Sequence, residues 1–464
     1  MRLLHISDRH IGRLLYGEPR AADHDAVLQE ITGLARQSKP DLILHTGDVF
    51  DTARPAVQDM QRAISWLQEL AATAPVAVVA GNHDSPALFQ LFNSLLSGTS
   101  PDVGDGTQPR IRFVGKARGG PAGILRYAVS TSRGDNVLQV APLPFVRDGL
   151  IVDTMEDPAT WLRSYADRVQ LMEAALGREL ADGFDPSRDV NIFAAHLYVG
   201  GATFDRSEKP IHISDVYATT VTAIPPVSYA AFGHIHKPQP LPGGTVTGRY
   251  AGSPIPLDFG ERDEVKTVVL VDVEPSRPAV VGPVNLTAGR PLREFTGTLE
   301  QLSGVATGWG NALSKLIIHT ETPTPDLSDR VARLLPAAVL CDVTEICAAS
   351  QLAPVEETVT STAAEPQLPE LFREFLTAGV TAGADAQAVA AEFTDLLQAL
   401  DEESRPLHKG ERQIEELLAL ARQADTIAAG NFQADTRPTG PRLPAAPASA
   451  GTAGPPGPGE GTGA

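Results

Sequence analysis

Five short polar motifs in the first half of the chain each begin where an apolar run ends, and this regularity constrains the fold more than any other feature. Asp8-Arg9-His10 follows LLHIS, GDVFD at 47–51 follows LILHT, and GNHD at 81–84 follows VAVVA. His196 follows NIFAA, and Gly233-His234-Ile235-His236 follows YAAF. Apolar runs this short, flanked by turn residues, read as buried strands. In open α/β sheets ligands bind outside the carboxyl ends of the strands. Five strand ends therefore carry Asp, Asn and His side chains toward one place.

The surrounding pattern agrees. Strands are expected at Leu3–Ser7, Leu42–Thr46, Val76–Ala80, Val137–Ala141, Asn191–Ala195 and Tyr229–Phe232. Amphipathic runs at Ala21–Gln37, Val57–Ala72 and Pro158–Leu180 read as helices between them. Strands alternating with helices predict a layered α/β domain, placed at residues 1–262. Beyond it the texture becomes β-rich, with runs at Thr267–Val273, Phe295–Leu299, Lys315–Thr320 and Ala338–Ile346 and one helix near Leu327–Leu335. These predict a smaller α+β domain over 263–348. An Ala/Pro/Thr-rich linker is placed at 349–369 and a helical segment at 370–430. In that segment Leu371, Phe372, Phe375 and Leu376, then Val389, Phe393, Leu396, Leu397 and Leu400, recur at helical spacing. The Pro/Gly/Ala tail at 431–464 reads as disordered.

Composition narrows the function classes. No run approaches the ~18 apolar residues of a membrane span, and the first residues lack the pattern of a signal peptide. The two cysteines, Cys341 and Cys347, read as small buried hydrophobes in a reducing, cytoplasmic setting. The formal charge of −19 is unevenly spread. Residues 1–260 hold 23 Lys+Arg against 28 Asp+Glu, a net of −5, and the remainder holds 15 against 29, a net of −14. Two divalent cations would nearly cancel the first deficit. No basic stripe stands out, so tight unaided binding of duplex DNA is not expected.

The motif residues suit a pair of divalent cations. Asp8, His10 and His236 are assigned to one metal, and Asn82, His196 and His234 to the other, with Asp48 bridging. Mixed oxygen and imidazole donors accept Mn²⁺, Fe²⁺, Zn²⁺ or Mg²⁺. Such a pair activates a water and clamps the attacking and leaving oxygens of a displacement at phosphorus. His83, directly after a ligand, is assigned to the substrate as a proton donor, with Asp84 orienting its ring. Gly47, Gly81 and Gly233 permit tight turns before the ligands.

Taken singly, these signals are weak. A lone Asp-x-His is more often a capped turn than a metal site, and Gly-Asp at a strand end is usually a turn. GNHD and Gly-His-Ile-His are more specific, because the second points two imidazoles to one side of an extended chain. Five in this order, each at a strand end, outweigh the bland reading. His5 and His45 lie inside strand runs and read as core or ligand-supporting groups, and His24, His212, His319 and His408 as surface or structural. Arg206, Lys209 and Lys237 lie near ligand loops, where phosphate contact competes with an ordinary solvated role.

The ordered set resembles the calcineurin-like metallophosphoesterases. MRLLHISDRHIG, GDVFDTARP, AGNHDSP, AAHLYVGGA, GHIHKPQ and YAGSPIPLDFGE at 250–261 are similar to the SbcCD-type DNA nuclease branch of that superfamily. The likeness covers residues 1 to about 275 and, more weakly, PELFREFL and EFTDLL. It implies a β-sandwich flanked by helices, a capping domain and a helical segment that grips an SMC-like ATPase partner. It also implies a Mn²⁺-dependent (or Mg²⁺-dependent) exo- and endonuclease for DNA repair and recombination, working as a homodimer within a heterotetramer. The seven ligand positions match the family's, and His83 matches its catalytic histidine. Two positions depart from it: Arg9 stands where the family has an aromatic residue, commonly Trp, and Ile6 where Thr is common. A small-molecule or phosphoprotein phosphoesterase using the same metals is the competing enzymatic reading, and a scaffold without turnover the non-enzymatic one. The chain has no GxxxxGK[ST] loop, so any ATP dependence belongs to another chain.

Overall fold

The computed structural model describes residues 1–97, 110–132, 134–146, 158–204, 218–350, 372–373, 376 and 388–394. Two six-stranded sheets dominate it. The first runs, edge to edge, Val280–Asn285, Thr267–Asp272, Arg2–Ile6, Leu42–His45, Val76–Val79 and Ile111–Val114. Its last four strands are parallel. The second runs Gln239–Pro240, Gly248–Tyr250, Tyr229–Gly233, Asp189–His196, Gly134–Leu143 and Leu125–Thr131, with its four central strands parallel.

Strand periodicity explains the layering. In Arg2–Ile6, Leu3 points into the space between the sheets while Leu4 and Ile6 point the other way. In Asp189–His196, Val190, Ile192 and Ala194 face the sister sheet, and Phe193 and Ala195 face outward. Both faces are buried, which is why these strands read as unbroken apolar runs. Helices Ala21–Ser38, Val57–Thr73 and Pro86–Ser97 cover the outer face of the first sheet through residues such as Ile31, Leu67 and Phe89. Helix Pro158–Ala181 covers the second sheet with Tyr165, Val169 and Leu176. The result is a helix–sheet–sheet–helix sandwich.

The sequence boundary at 262/263 does not follow the sheet. Thr267–Asp272 lies antiparallel to Arg2–Ile6, pairing Leu4 with Leu270, and Val280–Asn285 completes that edge. The smaller sheet starts at Leu292. Its strands Leu292–Gly297, Leu313–Thr320 and Val339–Cys347 are parallel throughout, with helices Leu299–Val305 and Leu327–Leu334 between them. It is thus a β-α-β-α-β unit, not the α+β arrangement expected. Thr298 and Gln301 form a reciprocal capping box at the first of these helices. Cys347 is buried, Cys341 half-buried, and both are free.

Residues 1–353 form one compact unit and 354–464 a second. In the second, the Phe372 and Phe393 rings meet in a tilted pair with centroids 4.0 Å apart. Leu371, Phe375, Leu396, Leu397 and Leu400, most of the linker, and the expected tail lie outside the described residues. Among the described residues no helix is long and apolar enough to cross a membrane.

Candidate metal centre

Three of the five motifs leave their strands on strained backbone. Asp8, His10, Asp48 and His234 have φ of 45°, 46°, 51° and 102°, a region that costs non-glycine residues of order 1–3 kcal/mol each. The loops brace one another: Arg9 N and His10 N both donate to the Asp48 carbonyl, at 2.9 and 3.0 Å. Asp8 accepts from His234 N at 3.0 Å, and Asp48 accepts from His83 N at 2.8 Å. Close packing also dictates the glycines. A Cβ on Gly47 would collide with the His196 ring, and one on Gly233 with the Thr46 carbonyl. Gly233 is therefore a close-approach glycine within a strand, where the sequence suggests a turn.

The structure brings all seven expected ligands together. Donor atoms of Asp8, His10 and His236 lie within 4.8 Å of one another, as do those of Asp8, Asp48 and His196, and those of His10, Asp48 and His83. On the other side, Asn82 Oδ1 is 2.9 Å from both His196 Nε2 and His234 Nδ1, and these two nitrogens are 3.3 Å apart. His196 Nε2 is 3.4 Å from Asp48 Oδ2. Asp48 thus stands between the two groups.

This geometry fits divalent cations. His10 is 2% exposed. Its nitrogens lie 3.3 Å from Asp51 Oδ1 and 3.5 Å from Asp48 Oδ2, with neither aligned as a hydrogen bond. A buried imidazole in that state is costly unless something else occupies its lone pair. His196 Nδ1 donates to the Thr46 carbonyl at 2.7 Å, which fixes the tautomer with Nε2 as the electron-pair donor. Charge tells the same story. Burial alone would depress the His196 imidazole, yet Asp48 and Asp8 raise it to about 9. Burial likewise opposes ionisation of Asp48, but His196 and His83 hold its carboxyl well below the usual range. Two buried carboxylates here draw positive charge into the site.

Two supporting groups escape a sequence reading. Asp51, the last residue of GDVFD, sits beside His10 Nδ1 and takes Arg13 Nη1 at 3.3 Å. Glu261, fully buried at the end of the 250–261 string, lies 3.4 Å from His236 Nδ1. It accepts from Lys266 Nζ at 2.6 Å and from Leu257 N at 3.1 Å. Carboxylates behind ligating imidazoles orient the ring and raise its basicity.

Asp84 differs from the sequence reading. Its carboxylate accepts from Gly81 N at 2.9 Å and from Val49 N and Phe50 N at 3.2 Å. It ties two ligand loops together and does not orient His83. The His83 ring is held instead by the Asp51 carbonyl, 2.5 Å from Nδ1. Arg9 lies fully buried over the Trp66 ring, with its guanidinium carbon 3.8 Å from the centroid, and donates Nε to His45 Nε2 at 2.8 Å. An aromatic group from a helix thereby packs on the residue that departs from the family pattern. His5 is bonded to Tyr229 and Thr46, and His24 is buried. Lys237 faces Glu264 at 3.7 Å, while Arg206 and Lys209 lie outside the described residues.

Residues 1–238 match the family model described as calcineurin-like phosphoesterase, over more than half of the chain. The chain belongs to the calcineurin-like phosphoesterases. Among curated members it is 30% identical over 300 residues to the SbcD subunit of nuclease SbcCD from Bacillus subtilis, covering 63% of this chain and 71% of that one. The SbcD protein of Escherichia coli K12 is 29% identical over 318 residues, covering 67% and 74%. That of Rhodobacter capsulatus is 28% identical over 325 residues, covering 65% and 76%. For a calcineurin-like phosphoesterase, a site that holds divalent metal is the expected chemistry, and the donor set here suits it.

Proposed function

We propose that this calcineurin-like phosphoesterase is the metal-dependent DNA nuclease subunit of an SbcCD-type complex, acting on duplex ends, hairpins and single strands in the cytoplasm. The observation that carries the reading is the joint one. Relatives named as the SbcD subunit of nuclease SbcCD align over roughly two thirds of the chain, and in residues 1–238, which match the calcineurin-like phosphoesterase family, Asp, Asn and His donors converge from five strand ends. An SbcC-type SMC-like ATPase is the partner, in a heterotetramer built on a homodimer of this chain.

In this reading Asp8, His10 and His236 hold one metal, Asn82, His196 and His234 the other, and Asp48 both. Mn²⁺ is favoured over Mg²⁺, because imidazoles outnumber carboxylates in the set. When bound, such a pair lowers the pKa of a water and neutralises charge developing on the phosphate. The protein's own groups do the rest. Asp51 and Glu261 orient His10 and His236, and Asp84 locks the 47–50 and 81–84 loops together. His83 Nδ1–H donates to a backbone carbonyl, so the proton passed to the leaving oxygen comes from Nε2 of the imidazolium form of the ring.

The test is cleavage of linear and hairpin DNA by the chain purified with and without its ATPase, in Mn²⁺ and in Mg²⁺. Hydrolysis of a small chromogenic phosphodiester without any DNA cleavage would instead establish the small-molecule phosphoesterase reading.

A further inference from the structure

A cleft of about 240 Å³ opens between helix Pro86–Ser97 and strand Ile111–Val114. Pro86 and Gln90 line one wall, and Arg112, Lys116 and Arg118 the other. The strand is the parallel neighbour of Val76–Val79, and Ala80 N donates to the Val114 carbonyl at 2.9 Å. The loop bearing Lys116 and Arg118 therefore leaves the sheet at the same end as the loop bearing Asn82 and His83. Pro86 is three residues from His83, so their Cα atoms are at most ~11 Å apart.

The charge of this wall is out of character for the molecule. Residues 106–134 contain Arg110, Arg112, Lys116, Arg118, Arg126 and Arg133 and no Asp or Glu, in a chain of net charge −19. Several surface cations elsewhere are paired, as in Arg2–Asp272, Arg62–Asp25, Arg188–Asp189 and Arg262–Glu294. Among the described residues Arg112, Lys116 and Arg118 have no side-chain hydrogen bond or ion pair. Lys116 and Arg118 are exposed and Arg112 half-buried. Like charges gathered on a concave wall focus the field and raise the local concentration of anions.

We propose that this cleft holds the phosphodiester backbone of the substrate strand, beyond the phosphate under attack. Lys116 and Arg118 contact the phosphates and Arg112 backs them from the floor. The inference rests on the nuclease reading above and specifies where the DNA strand leaves the metal centre. Phosphate contacts position a strand without reading its sequence, so the cleft sets affinity and salt dependence, not base preference.

The test compares the full chain with Lys116→Ala/Arg118→Ala. Binding of a labelled single strand of about 20 nucleotides is followed by fluorescence anisotropy over a salt series, beside turnover of bis(p-nitrophenyl) phosphate. Two lost phosphate contacts lower the slope of log K against log salt by about 1.4 and weaken binding ~10-fold or more at low salt. Turnover of the small diester stays at the wild-type value, and Lys116→Arg/Arg118→Lys restores the slope. An unchanged slope in a protein that cleaves DNA overturns the cleft assignment. So does a parallel loss of small-diester turnover, which would make the two cations part of the site's architecture. A wild-type protein that turns over the diester but neither binds nor cuts DNA removes the nuclease reading itself, and this inference with it.

Discussion

At the scale of single residues, the site is held in a conformation the backbone resists. Asp8, His10, Asp48 and His234 all sit at positive φ, and the backbones around Gly47 and Gly233 leave no room for a Cβ. Asp48→Ala and His234→Ala should each abolish phosphodiester hydrolysis while leaving the fold intact, since both lie at loop ends and not in the apolar layers. Wild-type turnover with unchanged metal content in either variant would refute the assignment. His83→Gln separates proton donation from ligation: turnover should fall ~10²-fold or more with metal stoichiometry retained, and a matching fall in metal content would make His83 a ligand. Glu261→Gln tests the support of His236. Second-layer partners typically govern ~10–100-fold in metal affinity, so metal titration should weaken on that scale, and unaltered affinity would reduce Glu261 to a structural role. That these seven side chains would meet was legible in the sequence, because each follows directly on a strand end and is of a type that metal chemistry uses. Glu261 was not, since it meets His236 from 25 positions away and its own neighbours in sequence carry no sign of the contact. Asp84 was misassigned for a related reason: adjacency to His83 suggested a pair, while the fold turns its carboxylate toward three backbone N–H groups.

At the scale of elements, the central strands and the helices between them were readable because burial on both faces writes near-continuous apolar runs. Arg2–Ile6, Leu42–His45, Tyr229–Gly233 and helix Ala21–Ser38 fall within a residue or two of their sequence positions. Strand Thr267–Asp272 was recognised as a strand but given to the wrong sheet. Its partner is more than 260 residues away, as the pairing of Leu3 with Val271 shows, and local pattern carries no information on that choice. Helix Pro158–Ala181 adds a feature that only the packed element reveals. Glu173 is fully buried, takes one hydrogen bond from Thr219 Oγ1 at 2.7 Å, and has an unpartnered Oε1. Burial pushes its carboxyl up to about 7 from 4.5. Because the folded value lies above the unfolded one, the protonated acid stabilises fully below about 4.5, and that stability is lost as pH rises through about 7. Glu173→Gln should therefore melt higher than wild type at pH 8, by at most about 3 kcal/mol, with the gap closing toward pH 4.5. Equal melting shifts at both pH values would show that Glu173 ionises freely.

At the scale of the whole molecule, the question is what the second unit is for. Residues 261–464 carry a net −14, and the described part of 354–464 shows two helical pieces meeting through Phe372 and Phe393. Leu376 and Ala390 are 5% and 6% exposed. We propose that these helical pieces dock on a partner by helix-in-groove recognition, with a few aromatic anchors supplying most of the energy. Deleting residues 366–464 should spare cleavage of short single-stranded DNA, because every proposed ligand lies in residues 1–353, and should end co-purification with the ATPase. Phe372→Glu with Phe393→Glu should do the same in the full-length chain, since two carboxylates then face each other where two rings now meet, a contact worth of order 1 kcal/mol beyond its buried area. A complex that survives both changes would exclude this segment as the docking element. Insolubility of the truncated chain would mean that the helices fold back to cover apolar surface of their own molecule.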